Sequence, residues 1–449
     1  MISDAKIIDD VIENIEVNSK NIKNKKEILL NIFYGIKCDD CSDISILILN
    51  APCNGFGDII FAMKIANYLR EWYNVKITIA TTNTNSFITL GENPNNLVKL
   101  ISKSDKNKTN NQCRMFKNLI FEKKISDHDL IFVAPVPSEK DNNYYDIQRL
   151  INYSNKFNTY FFSEYNYGSN FDFPTGIGGG GYRYGLLFNN INSENLKRVN
   201  GINNEYAVVY ISDNIVRSET CLISFFEMIA KKYSKDNKNF DIIVPNWVIE
   251  DCIEYTGMWV LRQNCVYFKK LIIKLLSKYY SNIDIVTKDK IRKNIFTKET
   301  KNDNSLLTIR GDIYPLKNEE MLGLINYSVK DILLTGDQSI TDALSCCPEK
   351  NIFYQIATWK ESFGKDLAKN LPNKFLMKKS TSCGSLDALK YNSNYKKFVD
   401  YWDFRKLAKP KMDAVIIYSK YRKDNRIIKN LEQLISSSKN LNSLKNKIV

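Results

Sequence analysis

Apolar and polar residues alternate along the first part of the chain in a pattern that predicts strands and helices in turn. Residues 44–49 form an almost continuous apolar run, which is typical of a parallel strand buried on both faces. Apolar residues then recur at helical spacing over 59–73, and 75–80 is the next apolar run. Further apolar runs at 129–135 and 160–162 continue the series, so the pattern predicts one doubly wound α/β domain.

A second series of strands and helices follows an asparagine-rich polar stretch at 190–205, which is typical of a linker. The predicted strands lie at 206–211, 240–244, 306–309, 331–335 and 351–356, and the predicted helices at 221–233 and 268–280. Beyond residue 390 the pattern is helical and basic to the end of the sequence.

These patterns predict an α/β protein with two Rossmann-like doubly wound domains and a helical C-terminal tail. We expect the first domain, with a helical N-terminal extension, at 1–200. The second domain is expected at 201–405 and the basic helical tail at 406–449. A length of 449 residues suits two large domains and a tail.

Composition excludes several other classes of protein. With 44% hydrophobic residues, the chain has enough apolar material for buried cores and is not wholly disordered. No apolar run approaches the ~18 residues that span a bilayer, and the N-terminus lacks the features of a signal peptide. We therefore expect a cytoplasmic protein with ten reduced cysteines. Cys38 and Cys41 have C-x-x-C spacing, but zinc sites need four ligands, so no metal site is expected.

The net charge of +14 favours phosphate-bearing partners without identifying one. Residues 410–449 contain nine lysines and arginines and three acidic residues, which gives this tail a net charge of +6. Tyr418 and Tyr421 lie among these basic residues, as in some nucleic-acid-binding surfaces. A solvated helix face is the alternative interpretation.

A glycine turn, Gly55-Phe-Gly57-Asp58, joins the first predicted strand to the following helix. Glycines at such a turn let the backbone bend sharply and approach a ligand. A full dinucleotide fingerprint would need glycine or alanine where Ile60 stands, and an acid at the end of the next strand. Asp58 has two interpretations: an N-cap or first-turn acid of the helix, or a general base in the cleft.

A second glycine turn, Thr335-Gly336-Asp337-Gln338-Ser339, has the same position between a predicted strand and a helix. It is either an ordinary capped helix or a site where free N–H groups of the helix bind a diphosphate. In the second case, Gln338 and Ser339 would donate hydrogen bonds and Asp337 would reach a ribose or sugar hydroxyl. Arg310 follows another predicted strand and would supply a cation to the same diphosphate.

These two turns, together with Phe353-Tyr-Gln-Ile356, resemble the motifs of GT-B glycosyltransferases. In particular, the two turns resemble those of bacterial protein-arginine rhamnosyltransferases, which have an Asn-Phe-Gly-Asp turn early and a Gly-Glu-Asp-Ser turn late. Heptosyltransferases share the early Gly-Asp. The resemblance covers about sixty residues at the turns and their flanks, and Gln338 stands where the family has an acid.

The resemblance implies that the two Rossmann-like domains face a cleft in a GT-B-like arrangement, and it implies roles for residues of both halves. Asp58 would be the catalytic base, while Gly336, Asp337, Gln338 and Ser339 would hold the nucleotide sugar. Tyr354 lies in the Phe353–Ile356 motif and is assigned to the donor side with Arg310. The acceptor or cleft residues are expected to be Gly55, Gly57, Glu164 and Tyr165.

The resulting hypothesis is an inverting glycosyltransferase that moves a sugar from a nucleotide-diphosphate donor to an unknown protein, glycan or lipid-linked acceptor. GT-B enzymes generally use no bound metal, and the sequence has no Asp-x-Asp pair at a strand end, so no cofactor is expected besides the donor. The alternative is a catalytically inactive GT-B-like binding protein that uses its basic surface for nucleic acid or another anionic partner.

Overall fold

The computed structural model of the protein divides into two compact units. Unit 1 is Met1–Leu187 with Trp402–Val449, and unit 2 is Phe188–Tyr401. The structure describes residues 22–38, 40–50, 52, 56–99, 128–136, 158–164, 171–178, 183–189, 191–212, 218–236, 238–254, 268–298, 304–356, 360–371, 376–380, 384–389 and 395–437. None of the helices within these residues is long and apolar enough to cross a membrane.

Unit 1 contains a parallel sheet whose described strands have the spatial order β3-β2-β1-β4-β5-β6. The strands are β1 (Ser45–Asn50), β2 (Lys76–Thr81), β3 (Leu97–Lys99), β4 (Leu130–Val136), β5 (Thr159–Ser163) and β6 (Phe173–Pro174). This order is that of a doubly wound Rossmann domain. The direction of winding reverses between β1 and β4, and ligands of such folds bind at the carboxyl ends of the strands at this point.

The central strands of unit 1 consist of mostly apolar residues because both of their faces are buried. All seven residues of β4 and all five of β5 are buried. Helix α2 (Gly57–Tyr73) follows β1 and buries a row of apolar residues that includes Ile59, Ile65 and Leu69. It ends at Asn74, whose left-handed conformation is typical of a helix C-cap. A short helix, α3 (Thr84–Thr89), precedes β3.

Helices from both ends of the chain complete the core of unit 1. Near the N-terminus, α1 (Ile22–Asn31) packs against α11 (Lys409–Asp424), and α12 (Arg426–Ser437) contacts both. In α11 the stretch 414–419 is buried on every side, and Ile428 and Leu431 of α12 join the same core. The C-terminal segment is therefore part of the hydrophobic core of unit 1.

Unit 2 contains a mixed sheet in the order β10-β9-β11-β8-β7-β12-β13-β15-β14. Its strands are β7 (Glu205–Tyr210), β8 (Asn239–Ile243), β9 (Asn282–Val286), β10 (Arg292–Thr297), β11 (Leu306–Arg310), β12 (Asp331–Thr335), β13 (Asn351–Gln355), β14 (Leu376–Ser380) and β15 (Gly384–Leu389). The run from β9 to β13 is parallel and reverses its winding between β7 and β12. The two units therefore confirm the prediction of two Rossmann-like doubly wound domains.

Helices connect the parallel strands of unit 2. They are α4 (Ser218–Tyr233), α5 (Phe268–Leu276), α6 (Asn318–Asn326), α7 (Asp337–Cys346) and α8 (Glu361–Asn370), and a π-helix spans Val248–Ile253. Helix α9 (Tyr395–Tyr401) follows β15. A one-turn helix, α10 (Phe404–Leu407), follows in unit 1. Backbone hydrogen bonds join Leu186 to Trp402 and Phe404, so the chain segments that leave and re-enter unit 1 run side by side.

Antiparallel strands at the edges of the unit 2 sheet were not predicted. β10 pairs only with β9 among the described strands, and all its residues are exposed or partly exposed. Its sequence, Arg-Lys-Asn-Ile-Phe-Thr, lacks the apolar run of a strand buried on both faces. Charged residues are common on edge strands because they discourage pairing with other chains.

The expectation of ten reduced cysteines is wrong for Cys38 and Cys41, which form a disulfide in the structure. Their Cα atoms are 6.1 Å apart, within the usual range for a disulfide. The disulfide lies in the segment that leads from α1 into β1. Cys346 and Cys347 are free and buried.

Candidate functional site

At the carboxyl ends of the strands of unit 1, one buried asparagine ties three elements together. The side-chain amide of Asn50 donates to the carbonyl of Asp58 at 3.1 Å and to that of Ala134 at 2.9 Å. Its Oδ1 accepts from the hydroxyl of Thr81 at 3.3 Å. Asn50 thus fixes the first turn of α2 against the ends of β2 and β4, at the point where the winding of the sheet reverses.

Asp58 is a partly exposed residue in the first turn of α2. Phe56 is the N-cap, so Asp58 is not the capping residue, although its carboxylate is placed to interact favourably with the helix dipole. Gly57 has a φ that any residue can adopt, and a Cβ added there would meet nothing within 4 Å. The protein itself therefore does not require glycine at this position. Gly55 lies outside the described residues.

Glu164 follows β5 directly and is partly exposed. Because β5 is two strands from β1 in the sheet, the ends of the two strands are about 10 Å apart. The structure therefore places Glu164 and Asp58 at the same edge of one sheet. Tyr165 lies outside the described residues.

The glycine turn of unit 2 has a backbone conformation that strongly favours glycine. Gly336 is the N-cap of α7 with φ 79° and ψ 153°, a region in which side chains with a Cβ are strained. No atom lies within 4 Å of a Cβ built there, so the requirement is one of backbone conformation and not of space. Strand β12 ends at Thr335, and α7 begins directly after Gly336 with its first-turn N–H groups at the carboxyl end of the sheet.

The side chains at the start of α7 differ in exposure. Asp337 is buried and forms an ion pair with Lys360, with Nζ to Oδ2 at 2.5 Å. Gln338 is also buried, whereas Ser339 is partly exposed. Of the three polar side chains predicted to bind a donor, the structure thus leaves Ser339 the most accessible and gives Asp337 a protein partner.

A second hydrogen-bonded group lies beside this turn and links β7, β12 and β13. The hydroxyl of Thr335 donates to the carbonyl of Gln355 at 3.0 Å. The side-chain Oε1 of Gln355 accepts from the backbone N–H of Ser212, just beyond β7, at 3.3 Å. These residues fix the carboxyl ends of the three strands at the winding reversal of unit 2, in the same way that Asn50 does in unit 1.

Two predicted donor residues are not part of this group. Tyr354 is fully buried in β13 and contacts Phe363 edge to face, with ring centroids 6.4 Å apart, which is a core position. Arg310 ends β11, which is three strands from β12, or about 14 Å across the sheet. The structure therefore does not bring Arg310 together with the turn at Gly336.

The guanidinium of Arg310 already has partners in unit 2. It donates to both carboxylate oxygens of Asp312, at 3.0 and 2.7 Å, and to the carbonyl of Gly201 at 2.6 Å. These hydrogen bonds to Asp312 hold the pKa of Arg310 above its usual value, against the opposing effect of burial. Arg310 thus has a structural role in the loop after β11.

Sequence reasoning missed three residues that organise these sites. Asn50 and Gln355 are each the last residue of a mostly apolar strand. A polar residue at the carboxyl end of such a strand is visible in the sequence and could have indicated a site residue. Lys360 is 23 positions beyond Asp337 in a polar segment, and nothing local predicts that its ammonium is buried beside that carboxylate.

Several basic side chains in the described part of the tail are paired with carboxylates of unit 1. Lys420 forms an ion pair with Asp43, Arg422 with Glu432, and Lys423 with Asp129. Tyr418 is buried and donates to Glu432, so its ring is not exposed for contact with nucleic acid. These contacts support the interpretation of the tail as a structural helix pair with a charged face.

Comparisons with known proteins find matches among solved structures. Neither a protein-family model nor a curated protein sequence matches the chain. Among solved structures, the chain is similar to MurG of Acinetobacter baumannii, with 9% sequence identity and a TM-score of 0.35. The alignment covers 88% of this chain and 100% of the MurG chain.

Proposed function

We propose that the protein is a glycosyltransferase that moves a sugar from a nucleotide diphosphate to an acceptor, with inversion and without a bound metal. The observation that carries this proposal is the duplication of one arrangement. Each Rossmann-like unit has a buried strand, a glycine turn and a helix N-terminus at the winding reversal of its sheet. Ligands of doubly wound folds bind at this point.

The donor diphosphate would bind at the N-terminus of α7. Backbone N–H groups at a helix N-terminus and the positive end of the helix dipole favour a phosphate. The partly exposed hydroxyl of Ser339 would donate a further hydrogen bond. Asp337 would act through Lys360: this buried ion pair fixes the turn, so that the N–H groups keep their direction.

The acceptor would react beside Asp58 of unit 1. Its carboxylate would take the proton of the acceptor nucleophile while that atom forms a bond to the anomeric carbon of the sugar. The bond between the anomeric carbon and the diphosphate oxygen breaks on the opposite face, which inverts the configuration. The charge that develops on the leaving diphosphate would be stabilised by the N–H groups of α7.

Donor binding tests the proposal directly. We expect one or more nucleoside diphosphates or nucleotide sugars in a thermal-shift panel to stabilise the full chain, by about 2.7 kcal/mol at 100 times the dissociation constant. Ser339→Ala should weaken binding of that ligand in calorimetry, and a chelator should leave binding unchanged. A panel without a stabilising nucleotide would contradict the proposal, and loss of binding with the chelator would contradict metal independence.

A further inference from the structure

Half of the net charge of the chain lies in one continuous part of unit 2. Residues 268–298 comprise α5, β9, β10 and their connections, and they contain nine lysines and arginines but only two aspartates, a net charge of +7. The basic residues are Lys269, Lys270, Lys274, Lys278, Lys288, Lys290, Arg292, Lys293 and Lys298. We call the exposed surface of this segment the basic hairpin face.

Topology places the start of α5 and the turn of the β9–β10 hairpin at the same end of unit 2. Helix α5 connects parallel strands, so it runs from their carboxyl ends back to their amino ends, and the hairpin turn follows the carboxyl end of β9. Both also contact the segment after β8. Helix α5 contacts the π-helix, and the N–H of Lys288 donates to Asn246 at 3.2 Å. Lys269 and Lys288 therefore lie toward one end of the unit.

Several lysines of this face have no carboxylate partner. Arg292 pairs with Asp284 and Lys293 with Glu254. Within the part of the chain that the structure describes, five exposed lysines form no ion pair: Lys269, Lys274, Lys288, Lys290 and Lys298. By contrast, five basic side chains in the described part of the tail are paired with carboxylates of unit 1. Lysines four residues apart on a helix, such as Lys270 and Lys274, repel one another. A polyanion bound beside this row of lysines would offset the repulsion.

The hairpin turn adds an apolar residue to the positive charge. Ile291 is 54% exposed and lies between Lys290 and Arg292. The turn is closed by a hydrogen bond from the N–H of Thr287 to the carbonyl of Ile291 at 3.0 Å, and Lys290 adopts a positive φ of 62°. An aliphatic side chain at the tip of a turn, flanked by basic residues, suits the boundary between lipid headgroups and acyl chains.

We propose that the basic hairpin face binds the surface of a membrane that contains anionic lipids. The lysines attract the lipid phosphates, and Ile291 inserts at the level of the headgroups. Nucleic acid fits this face less well. Single strands stack their bases on exposed aromatic rings, and Phe268 and Tyr280 are buried while Tyr279 and Phe296 are half-buried.

Vesicle sedimentation with the full chain tests this proposal. We expect the protein to bind vesicles of phosphatidylcholine that contain roughly 30% phosphatidylserine, an anionic lipid. It should bind little to vesicles of pure phosphatidylcholine. The double variant Lys288→Gln/Lys290→Gln should lower the partition coefficient about 25-fold, since each lysine near an anionic surface contributes about fivefold. Ile291→Ser, which leaves the charge unchanged, should lower it about fivefold.

The matched control is Lys396→Gln/Lys397→Gln, which removes two exposed lysines of α9 in the same unit. It should bind anionic vesicles like the parent, and all variants should have the melting temperature of the parent. The proposal is overturned if the parent does not bind anionic vesicles, or if the control weakens binding as much as the hairpin variant. Tighter binding to RNA or DNA that is unaffected by Ile291→Ser would overturn it in favour of a nucleic-acid partner.

Discussion

The two glycine turns have similar sequences but different physical designs. In unit 1 the backbone of Gly57 is unstrained, and a neutral amide, Asn50, holds the carbonyl of the following Asp58. In unit 2 the turn at Gly336 has a conformation that favours glycine, and the following aspartate is buried in an ion pair with Lys360. The Gly-Asp pattern therefore does not by itself determine what the carboxylate does.

Exposure explains the difference between the two aspartates. Asp58 is held in place through its backbone, so its carboxylate is not needed for that contact and is partly exposed. The carboxylate of Asp337 balances a buried ammonium, and removing it would leave that charge in a poorly solvated place. A partly exposed carboxylate at the end of a sheet is suited to contact a ligand, whereas a buried ion-paired one is suited to fix a turn.

The largest effect is expected at Asp58 and concerns the rate of sugar transfer. Asparagine cannot accept a proton, so Asp58→Asn should slow single-turnover transfer by ~10²–10⁴-fold, the usual scale of general-base catalysis. Donor affinity and melting temperature should stay close to those of the parent. Transfer at the parental rate would show that Asp58 is only a first-turn acid of α2.

Breaking the ion pair of unit 2 should mainly affect stability. Asp337→Ala leaves the Lys360 ammonium buried without this carboxylate, which typically costs about 3–5 kcal/mol of the free energy of unfolding. Urea denaturation of the full chain measures this loss in the free energy of unfolding. The double variant Asp337→Leu/Lys360→Met should regain most of the stability, because it removes both charges. A single variant as stable as the parent would contradict a structural role for the pair.

Removal of the amide at Asn50 should have a smaller effect in unit 1. Asn50→Ala leaves the carbonyls of Asp58 and Ala134 without this donor, and we expect a loss of about 2 kcal/mol. Thr81→Val is the matched control, because it removes only the 3.3 Å hydrogen bond to Asn50 and should cost about 1 kcal/mol or less. Equal losses in the two variants would show that Asn50 does not organise the turn.

Substitution of Gly57 and of Gly336 compares the two turns most directly, and the expected changes in stability are the smallest of the four. Gly336→Ala should destabilise the protein by about 1–3 kcal/mol, because alanine is strained at this positive φ. Gly57→Ala should change stability by less than about 1 kcal/mol, and in the favourable direction, since alanine restricts the unfolded chain. Thermal denaturation of the two variants side by side checks both values. Equal destabilisation would mean that the turns share one conformation.

Much of the fold could be predicted because a parallel strand buried on both faces needs a run of apolar residues. The predicted strands at 44–49, 75–80 and 129–135 each differ by one residue from the observed β1, β2 and β4. The same holds for β7 and β8 in unit 2. Strand β10 was missed because it lies at the edge of the sheet, where no apolar run is required.

The sequence by itself determined the alternation of strands and helices and the positions of both glycine turns, since these depend on local periodicity and backbone conformation. Only the tertiary structure decided that Asp337 is paired with Lys360, that Arg310 lies three strands from β12, and that apolar residues of α11 and α12 join the core of unit 1. These properties depend on strand order and on contacts between residues far apart in the chain. Local sequence patterns do not encode such contacts. Different strand orders are compatible with the same alternation of strands and helices, and each order brings different residues together.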